Sequence, residues 1–371
     1  MESRGQELMR SHRGPLPGVI MAIALATAGC SASTSTSKPA STLATTSTST
    51  TSAVGTSTTT SAPAGLALKK ITAAALSGVS CPSTTWCMAV DGKGNAITYS
   101  GGAWLAPHLI DPGSPATADA GAGSITGISC PTTTWCLATS YLDGFSLYDG
   151  TSWTPFVFAP SGPGLPGGES DLNGVSCSGP TFCSVTSAHG TVVFYDGGTW
   201  SEPGTNNSLL QGAQSSTPVS CTVMSCMYTD NSGNSQTSNS QQLSPLTAIP
   251  GQTNQLASSV SCTSTTFCVA VNTGAHSAAS WNGSAWTQSA AFSPVKGLGL
   301  NGVSCTGPTF CVALDDSDMF RTTDGLSWSA PGRLVAAART ATLVAVSCAA
   351  STFCAAVDSA GYAYTFNPSQ L

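Results

Sequence analysis

The chain has 371 residues, of which 41% are hydrophobic and only 8% are charged, with a formal net charge of −6. Its 39 glycines and 22 prolines are typical of many short strands joined by tight turns. With 11 Lys and Arg against 17 Asp and Glu, the chain has no basic footprint for a phosphate backbone, which argues against a nucleic-acid partner.

The N-terminus predicts export from the cell. Three arginines precede an apolar run over residues 16–28, and the small residue Gly29 follows it. A basic region, a short apolar region and a small-residue cleavage site are the parts of a secretory signal peptide, which we assign to residues 1–29. The apolar run is too short to span a membrane as a helix.

The sequence Ala26-Thr27-Ala28-Gly29-Cys30 resembles the lipobox of exported bacterial lipoproteins, although Thr27 stands where leucine is commoner. The resemblance implies cleavage before Cys30 and attachment of diacylglycerol to its thiol. That lipid would anchor an extracellular protein to the outer face of the bacterial cell membrane. The alternative is ordinary signal-peptidase cleavage nearby, with Cys30 as an unpaired thiol.

We predict that residues 30–64 consist of this lipidated cysteine followed by a disordered tether. From residue 31 onward the segment is almost entirely Ser, Thr and Ala with a few Pro, so it cannot bury enough apolar area to fold. Its hydroxyls are candidate sites for O-linked sugars, and an unmodified flexible spacer is the alternative.

Residues 65–371 contain a sevenfold repeat. Each copy has a short apolar strand that ends in Ser-Cys and is followed by a second cysteine, and the first cysteines lie 41 to 49 residues apart. This period with strand-like content is typical of the blades of a β-propeller. The copies span residues 78–87, 127–136, 174–183, 218–226, 259–268, 302–311 and 345–354.

The predicted fold class is therefore all-β: a seven-bladed propeller with four-stranded antiparallel blades, about 44 residues each. Blade four departs from the pattern, because its cysteine loop is one residue shorter and its segment NSGNSQTSNSQQ is too polar for a confident strand. Blade seven lacks a fourth strand. We expect the N-terminal segment 66–70 to supply it, which closes the ring and removes exposed strand edges.

The paired cysteines predict one disulfide within each blade. Each pair flanks the turn between the first two strands, where antiparallel neighbours are close enough for a disulfide. Zinc is the rival, but blade symmetry keeps the pairs apart and an exported protein favours oxidation, so we predict no metal and no cofactor. Fifteen cysteines make seven pairs plus Cys30. The pairs are Cys81 with Cys87, Cys130 with Cys136, Cys177 with Cys183, Cys221 with Cys226, Cys262 with Cys268, Cys305 with Cys311, and Cys348 with Cys354.

A second motif, Asp-Gly-x-x-Trp, recurs between the third and fourth strands. Asp-Gly is a strong hairpin-turn signal, and the tryptophan is suited to packing between blades. The motif resembles the Asp-box (BNR) repeat of sialidase-type propellers, although that box has a residue between Asp and Gly. In that family the box is structural and implies nothing about activity. The members are Asp149, Gly150 and Trp153; Asp196, Gly197 and Trp200; and Asp324, Gly325 and Trp328.

The sequence favours binding over catalysis. A sialidase-like site needs arginines from several blades, but Arg321, Arg333 and Arg339 share one stretch, and no pair of facing carboxylates stands out. The acidic cluster at residues 315–318 fits no complete calcium loop, and a solvated turn is the alternative to a calcium ligand set. Trp281 breaks the tryptophan pattern and is the candidate ligand contact.

We therefore predict a non-catalytic, membrane-tethered, monomeric binding or scaffold protein. Its expected partner is a glycan, a cell-wall polymer or an exported protein. The alternative is a divergent glycoside hydrolase of sialidase-like propeller fold, and a purely structural envelope protein is a third class.

Overall fold

The repeat forms seven antiparallel sheets arranged as blades. The computed structural model describes residues 65–112, 124–141, 144–158, 172–187, 190–201, 217–239, 242–252, 257–274, 277–290, 292, 299–336 and 339–371. The predicted signal peptide, Cys30 and the tether lie outside these residues. In the described part of the chain, no helix has the length and apolar character needed to cross a membrane.

The first four blades follow in chain order after strand β1 (Leu66–Lys70), which belongs to blade seven. Blade one holds β2 (Leu76–Ser83), β3 (Trp86–Asp91), β4 (Asn95–Ser100), β5 (Ala103–Trp104) and β6 (His108–Leu109). Blade two holds β7 (Ile125–Thr132), β8 (Trp135–Ser140), β9 (Gly144–Tyr148) and β10 (Val157–Phe158). Blade three holds β11 (Leu172–Gly179), β12 (Phe182–Ser187) and β13 (Val192–Tyr195). Blade four holds β14 (Val219–Thr222), β15 (Ser225–Thr229), β16 (Asn234–Asn239), β17 (Gln242–Leu243) and β18 (Thr247–Ala248).

The last three blades complete the ring. Blade five holds β19 (Ala257–Ser264), β20 (Phe267–Asn272), β21 (Ala278–Trp281) and β22 (Trp286–Gln288). Blade six holds β23 (Gly302–Gly307), β24 (Phe310–Leu314), β25 (Asp318–Thr322) and β26 (Gly332–Arg333). Blade seven holds β27 (Leu343–Ala350), β28 (Phe353–Asp358), β29 (Tyr362–Phe366) and β1, and a short 3₁₀ turn (Pro368–Gln370) ends the chain.

The N-terminal strand closes the ring, as predicted. β1 pairs antiparallel with β29, so that Leu66 lies opposite Phe366 and Lys70 lies opposite Tyr362. The innermost strands contact one another in a complete cycle, in the order β2, β7, β11, β14, β19, β23, β27 and back to β2. Closure leaves no free inner blade face, because every inner strand has a neighbour on both sides.

The outermost strands are less regular than the sequence suggested. In three blades the expected tryptophan strand is replaced by a single isolated β-bridge between the tryptophan and the third strand. The tryptophans are Trp153, Trp200 and Trp328. In blade six the fourth strand is β26, beyond Trp328, and blade three has three strands among the described residues. The polar segment of blade four does form a strand, β16. Its backbone pairs on both sides, and Ser235 and Ser238 are buried.

Each blade contains one disulfide between its first and second strands, as the sequence predicted. The paired cysteines have Cα–Cα distances of 4.0–4.1 Å, which is the spacing of a non-hydrogen-bonded pair. In such a pair the N–H of the first cysteine points away from the second strand. It therefore points towards the inner edge of the blade, where no further strand of that blade can accept it.

The serine that precedes each first cysteine satisfies this N–H across the blade boundary. Its hydroxyl accepts a hydrogen bond of 2.8–2.9 Å from the first cysteine of the next blade, and the last of these bonds joins blade seven to blade one. The serine–cysteine pairs are Ser80–Cys130, Ser129–Cys177, Ser176–Cys221, Ser220–Cys262, Ser261–Cys305, Ser304–Cys348 and Ser347–Cys81. The repeated Ser-Cys dipeptide thus serves two purposes: the cysteine staples its own blade, and the serine joins that blade to the next.

Removing one of these hydroxyls should destabilise the ring. We expect Ser304→Ala to cost about 1 kcal/mol, because the N–H of Cys348 loses its acceptor at a half-buried site. The apparent Tm in a thermal melt should fall by roughly 2 °C. Thr306→Ala, at an exposed position two residues further on, is the matched control and should leave Tm unchanged. Equal melting of Ser304→Ala and the wild type would contradict a stabilising role for this ring of bonds.

Candidate functional site

The blades present two different faces. Because adjacent strands are antiparallel, the turn after the first strand and the turn after the third strand lie on the same side of the ring. We call this side the disulfide face, since the disulfides flank the first of these turns. The turns after the second strands and the links between blades lie on the opposite side, which we call the crossover face.

Buried aspartates end the second strand of several blades at the crossover face. Asp91 is fully buried, and its Oδ1 accepts hydrogen bonds from the N–H groups of Lys93 and Asn95 at 2.9 and 3.0 Å. Asp230 and Asp358 cap their turns in the same way. This motif was not predicted from the sequence. An aspartate shortly before a turn that contains Gly or Ser is nevertheless a recognisable signal, because its side chain can accept hydrogen bonds from the backbone of that turn. These carboxylates are engaged in holding turns.

The acidic cluster of blade six is divided among separate partners. Asp315 Oδ1 accepts from the N–H groups of Ser317 and Asp318 at 2.7 and 2.6 Å, and burial raises the pKa of the Asp315 carboxyl. Asp318 pairs with Arg333 at 2.6 Å. Asp316 accepts a bond of 2.9 Å from the amide of Asn301. Within the described ranges, no three His, Cys, Asp or Glu side chains are grouped so as to hold a metal ion.

The Asp-Gly turns lie on the disulfide face and share one geometry. Asp149 Oδ1 accepts from the N–H groups of Thr151 and Ser152 at 2.8 and 2.7 Å, and Gly150 adopts a φ of 96°, which favours glycine. The Asp196 and Asp324 turns repeat this arrangement, and Asn282 makes the same bonds in blade five. The tryptophans that follow lie in the hydrophobic clusters between each blade and the preceding one.

These turns should make stability depend on pH in the acid range. Hydrogen bonds from the N–H groups of Ser327 and Leu326 lower the pKa of Asp324 from 3.8 to about 2. A carboxyl whose pKa is lowered by folding adds stability above its unfolded value, and this contribution is lost as pH falls from about 4 towards 2. Asp324→Asn should therefore melt below the wild type at pH 7, and the difference should vanish near pH 2.

Thermal melts between pH 7 and pH 2 test this expectation. The reciprocal change Asn282→Asp, at the equivalent turn of blade five, is the matched control and should add pH dependence instead of removing it. A difference between Asp324→Asn and the wild type that stayed constant across the pH range would rule out the proposed titration.

Aromatic side chains fill the outer part of the interfaces between blades. In blades one, two and seven the aromatic residue before the second cysteine faces the next blade, where it meets the tyrosine that pairs with the second cysteine of that blade. Trp86 lies 6.4 Å from Tyr148 between ring centroids, and Trp135 lies 6.1 Å from Tyr195. Each receiving tyrosine also packs on the outer tryptophan of its own blade, at 5.3 Å for Tyr148 and Trp153.

Trp281 occupies this same receiving position in blade five. It lies opposite Cys268 in the sheet, and its ring is 5.6 Å from that of Trp286. Its Nε1 donates a hydrogen bond of 3.2 Å to the carbonyl oxygen of Thr265. The apparent exception in the tryptophan pattern therefore corresponds to the tyrosine position of blades one to three. A role for Trp281 as a ligand contact stays a prediction.

Blade four has lost both rings of this arrangement. Ser238 pairs with Cys226, where other blades have Tyr99, Tyr148 or Tyr195. Leu243 pairs with Ser238, where blades one, two, three, five and six have a tryptophan and blade seven has Leu66. Phe182 of blade three still projects towards blade four in a shared hydrophobic cluster, so at this junction the aromatic donor side is present and the receiving rings are absent.

The inner part of the same junction is filled by a compensating change. Tyr228 stands two residues after the second cysteine, where blades one and two have Ala89 and Ala138, and it is fully buried. Its hydroxyl lies 2.9 Å from that of Ser184 in blade three, and burial raises its pKa to about 12, so the phenol is neutral at physiological pH. The same hydroxyl lies 3.4 Å from that of Ser238, so the Tyr228 ring closes the buried position at which the other blades have a tyrosine.

A pocket of about 570 Å³ lies at this open junction on the disulfide face. It is lined by Thr181, Phe182, Phe194, Tyr195 and Asp196 of blade three and by Met224, Asn239 and Gln242 of blade four. Asn239 and Gln242 adjoin Ser238 and Leu243 in the sequence, but Ser238 and Leu243 themselves do not line the pocket. Three of the lining residues belong to blade four, which departs from the repeat pattern in the sequence.

The turn of blade four forms an exposed apolar tip beside the pocket. Val223 and Met224 are 80% and 55% exposed, and Ser178 of blade three donates a hydrogen bond to the carbonyl oxygen of Val223. Val223 has a φ of 47°, the one positive φ among described non-glycine residues, and β-branched residues rarely adopt it. Thr222 pairs with Ser225, so this turn has only two residues, and a two-residue hairpin turn needs a positive φ at its first position.

No protein-family model matches the sequence, and the comparison with curated proteins finds no similar one. Solved structures share the fold. The chain is similar to YCF48 from Cyanidioschyzon merolae, with a TM-score of 0.60, 16% identity, and coverage of 83% of this chain and 100% of that one. It is similar to YCF48 bound to D1 peptide, with a TM-score of 0.58, 13% identity, and coverage of 81% and 96%.

An enzyme is also among the structures that share the fold. Virginiamycin B lyase from Staphylococcus aureus has a TM-score of 0.64, 8% identity, and coverage of 81% of this chain and 98% of that one. At such low sequence identities, these similarities show the propeller fold alone and do not show an activity.

Proposed function

We propose that the protein is a non-catalytic binding propeller of the cell envelope that holds a segment of an exported protein on its disulfide face. The observation that carries the proposal is the 570 Å³ pocket between blades three and four. Export and anchoring through a lipid on Cys30 belong to the same proposal and rest on the N-terminal sequence. The structure of YCF48 bound to D1 peptide supports it as a precedent, since there a propeller of the same fold binds a peptide.

The chemistry of the pocket favours a protein segment over a glycan. Sugars commonly stack on open aromatic faces, but Phe182, Phe194 and Tyr195 are only 7%, 1% and 7% exposed. The accessible apolar groups are instead the flexible Met224 and the neighbouring Val223, and methionine adapts to apolar partners. The amides of Asn239 and Gln242 at the rim supply the donors and acceptors that a peptide backbone needs.

The same lining argues against catalysis at this site. Asp196 is the one ionisable acid among the lining residues, and its Oδ1 already accepts bonds of 3.3 and 2.8 Å from the N–H groups of Gly198 and Thr199. Those bonds lower the pKa of Asp196, so it stays ionised and is a poor general acid. A glycosidase needs two facing carboxylates, and this pocket has one.

Filling the pocket should abolish binding. The double change Met224→Trp with Gln242→Trp adds two rings at exposed positions of the pocket lining. A random peptide library displayed on phage is selected against the purified full chain. Peptides that bind the wild type should lose at least about tenfold in affinity on the filled variant, which removes the volume they would bury. Leu105→Trp, at an exposed site of blade one, is the control for an added tryptophan and should bind normally.

Two further measurements keep this test decisive. Asn239→Trp blocks the exposed rim without touching the buried positions, and it should reproduce the loss even if the double variant folds poorly. A glycan and peptidoglycan array is probed in parallel with the wild type. Selected peptides that bind all variants equally, or binding confined to the glycan array, would refute the proposed function.

A further inference from the structure

Met224 carries the exposed sulfur atom of the described ring. This residue is 55% exposed, whereas Met88, Met227 and Met319 are 2%, 3% and 1% exposed. The cysteines of all seven repeats are joined in disulfides, so the repeats hold no free thiol. Among the sulfur atoms that the structure describes, an oxidant in solution therefore reaches that of Met224 first.

The hairpin of blade four holds Met224 at the surface. Thr222 pairs with Ser225, so Val223 and Met224 are the two residues of the turn. The disulfide of blade four closes the base of this hairpin, and Ser178 of blade three donates a hydrogen bond to the carbonyl oxygen of Val223. Because the hairpin is fixed at its base and at its tip, the exposure of Met224 is built into the fold.

An oxidisable side chain stands here in place of a repeated threonine. The residue two positions before the second cysteine is Met224 in blade four and threonine in the other six blades. Of the two side chains, the thioether is the one that takes up oxygen from a peroxide. Sensitivity to peroxide is thus confined to the blade that forms the pocket with blade three. The threonines are Thr85, Thr134, Thr181, Thr266, Thr309 and Thr352.

Met224 is also the accessible apolar side chain of the pocket lining. The three aromatic residues of that lining, Phe182, Phe194 and Tyr195, are at most 7% exposed. An apolar group of a bound segment therefore meets the Met224 thioether. Oxidation turns this flexible apolar side chain into a polar sulfoxide, which disrupts apolar contacts.

From these features we infer that Met224 is a reversible oxidation site, and that its sulfoxide weakens the binding of a protein segment in the pocket. The inference rests on the proposed function and adds a means of regulating it. The seven disulfides favour an oxidising compartment, which is where such a modification would operate.

The oxidant is a hydroperoxide, and the step is a two-electron oxygen transfer. A lone pair of Met224 Sδ attacks one peroxide oxygen, the O–O bond breaks as the S–O bond forms, and the other oxygen leaves as water after a proton shift. Sulfur loses two electrons and the peroxide gains them. A thiol-dependent sulfoxide reductase reverses the change: two thiols become a disulfide, and the sulfoxide oxygen leaves as water.

Peptide mapping tests the modification without any ligand. The full chain is treated with graded hydrogen peroxide, quenched with catalase, reduced, alkylated and cut with chymotrypsin, because trypsin has no site between Lys93 and Lys296. Met224 should take up oxygen at least about tenfold faster than the buried Met227 of the same strand pair. Fragment ions distinguish these two sites. Equal rates at Met224 and Met227 would overturn the modification site.

Binding measurements test the regulation. Pocket-dependent phage peptides that contain no Met or Cys should bind the peroxide-treated chain about tenfold more weakly, since a contacting thioether has become polar. Sulfoxide reductase should restore their affinity. Met224→Leu keeps an apolar side chain of similar volume, so it should bind equally well with and without peroxide. Met227→Leu, at the buried methionine, is the matched control and should stay sensitive to peroxide.

The outcomes separate this inference from the proposed function. Selective oxidation of Met224 with unchanged peptide affinity would overturn the regulation and leave peptide binding standing. Peroxide sensitivity that persists in Met224→Leu, or a lowered Tm of the oxidised chain, would also overturn it, because the loss would then arise elsewhere. Failure to select any pocket-dependent peptide would refute the proposed function, and with it the regulation, whatever the mapping shows.

Discussion

The hydrogen bond from the first cysteine of each blade to the serine of the preceding blade is the interaction on which the ring depends. The inner strand of a blade has no partner towards the axis, so its cysteine N–H would be left without an acceptor from its own sheet. A serine hydroxyl from the neighbouring blade supplies that acceptor at every boundary. At the closing boundary, the N–H of Cys81 in blade one donates a hydrogen bond of 2.9 Å to the hydroxyl of Ser347 in blade seven. Only a closed ring satisfies all of these groups, so the repeated dipeptide specifies closure as well as the individual blade.

Once the inner edge is joined, what distinguishes one blade boundary from another is the packing further out. Rings from adjacent blades fill most of these boundaries, and the disulfides hold the first two strands of each blade in register beneath them. A substitution in the outer layer therefore opens a local pocket without loosening the ring. At the junction of blades three and four Ser238 and Leu243 replace the two outer rings, and Tyr228 fills the buried space between Ser184 and Ser238.

Most of the architecture could be predicted from the sequence because it repeats. Seven copies of Ser-Cys establish the number of blades, the cysteine pairing and the position of the inner strand, and the unpaired end of blade seven predicts the role of Leu66–Lys70. The pocket could not be predicted, because it arises from absent side chains and from contacts across a blade boundary. The place of Trp281 in the sheet register, opposite Cys268, was likewise not visible from sequence spacing alone.

The departures of blade four from the repeat form one set. Its shortened cysteine loop leaves Val223 and Met224 at an exposed two-residue turn, and Met224 lines the pocket. Its gained tyrosine packs beneath, with the hydroxyl 2.9 Å from Ser184 of blade three and 3.4 Å from Ser238 of its own blade. The pocket therefore lies at the surface where the repeat is broken, over a junction whose buried part is closed.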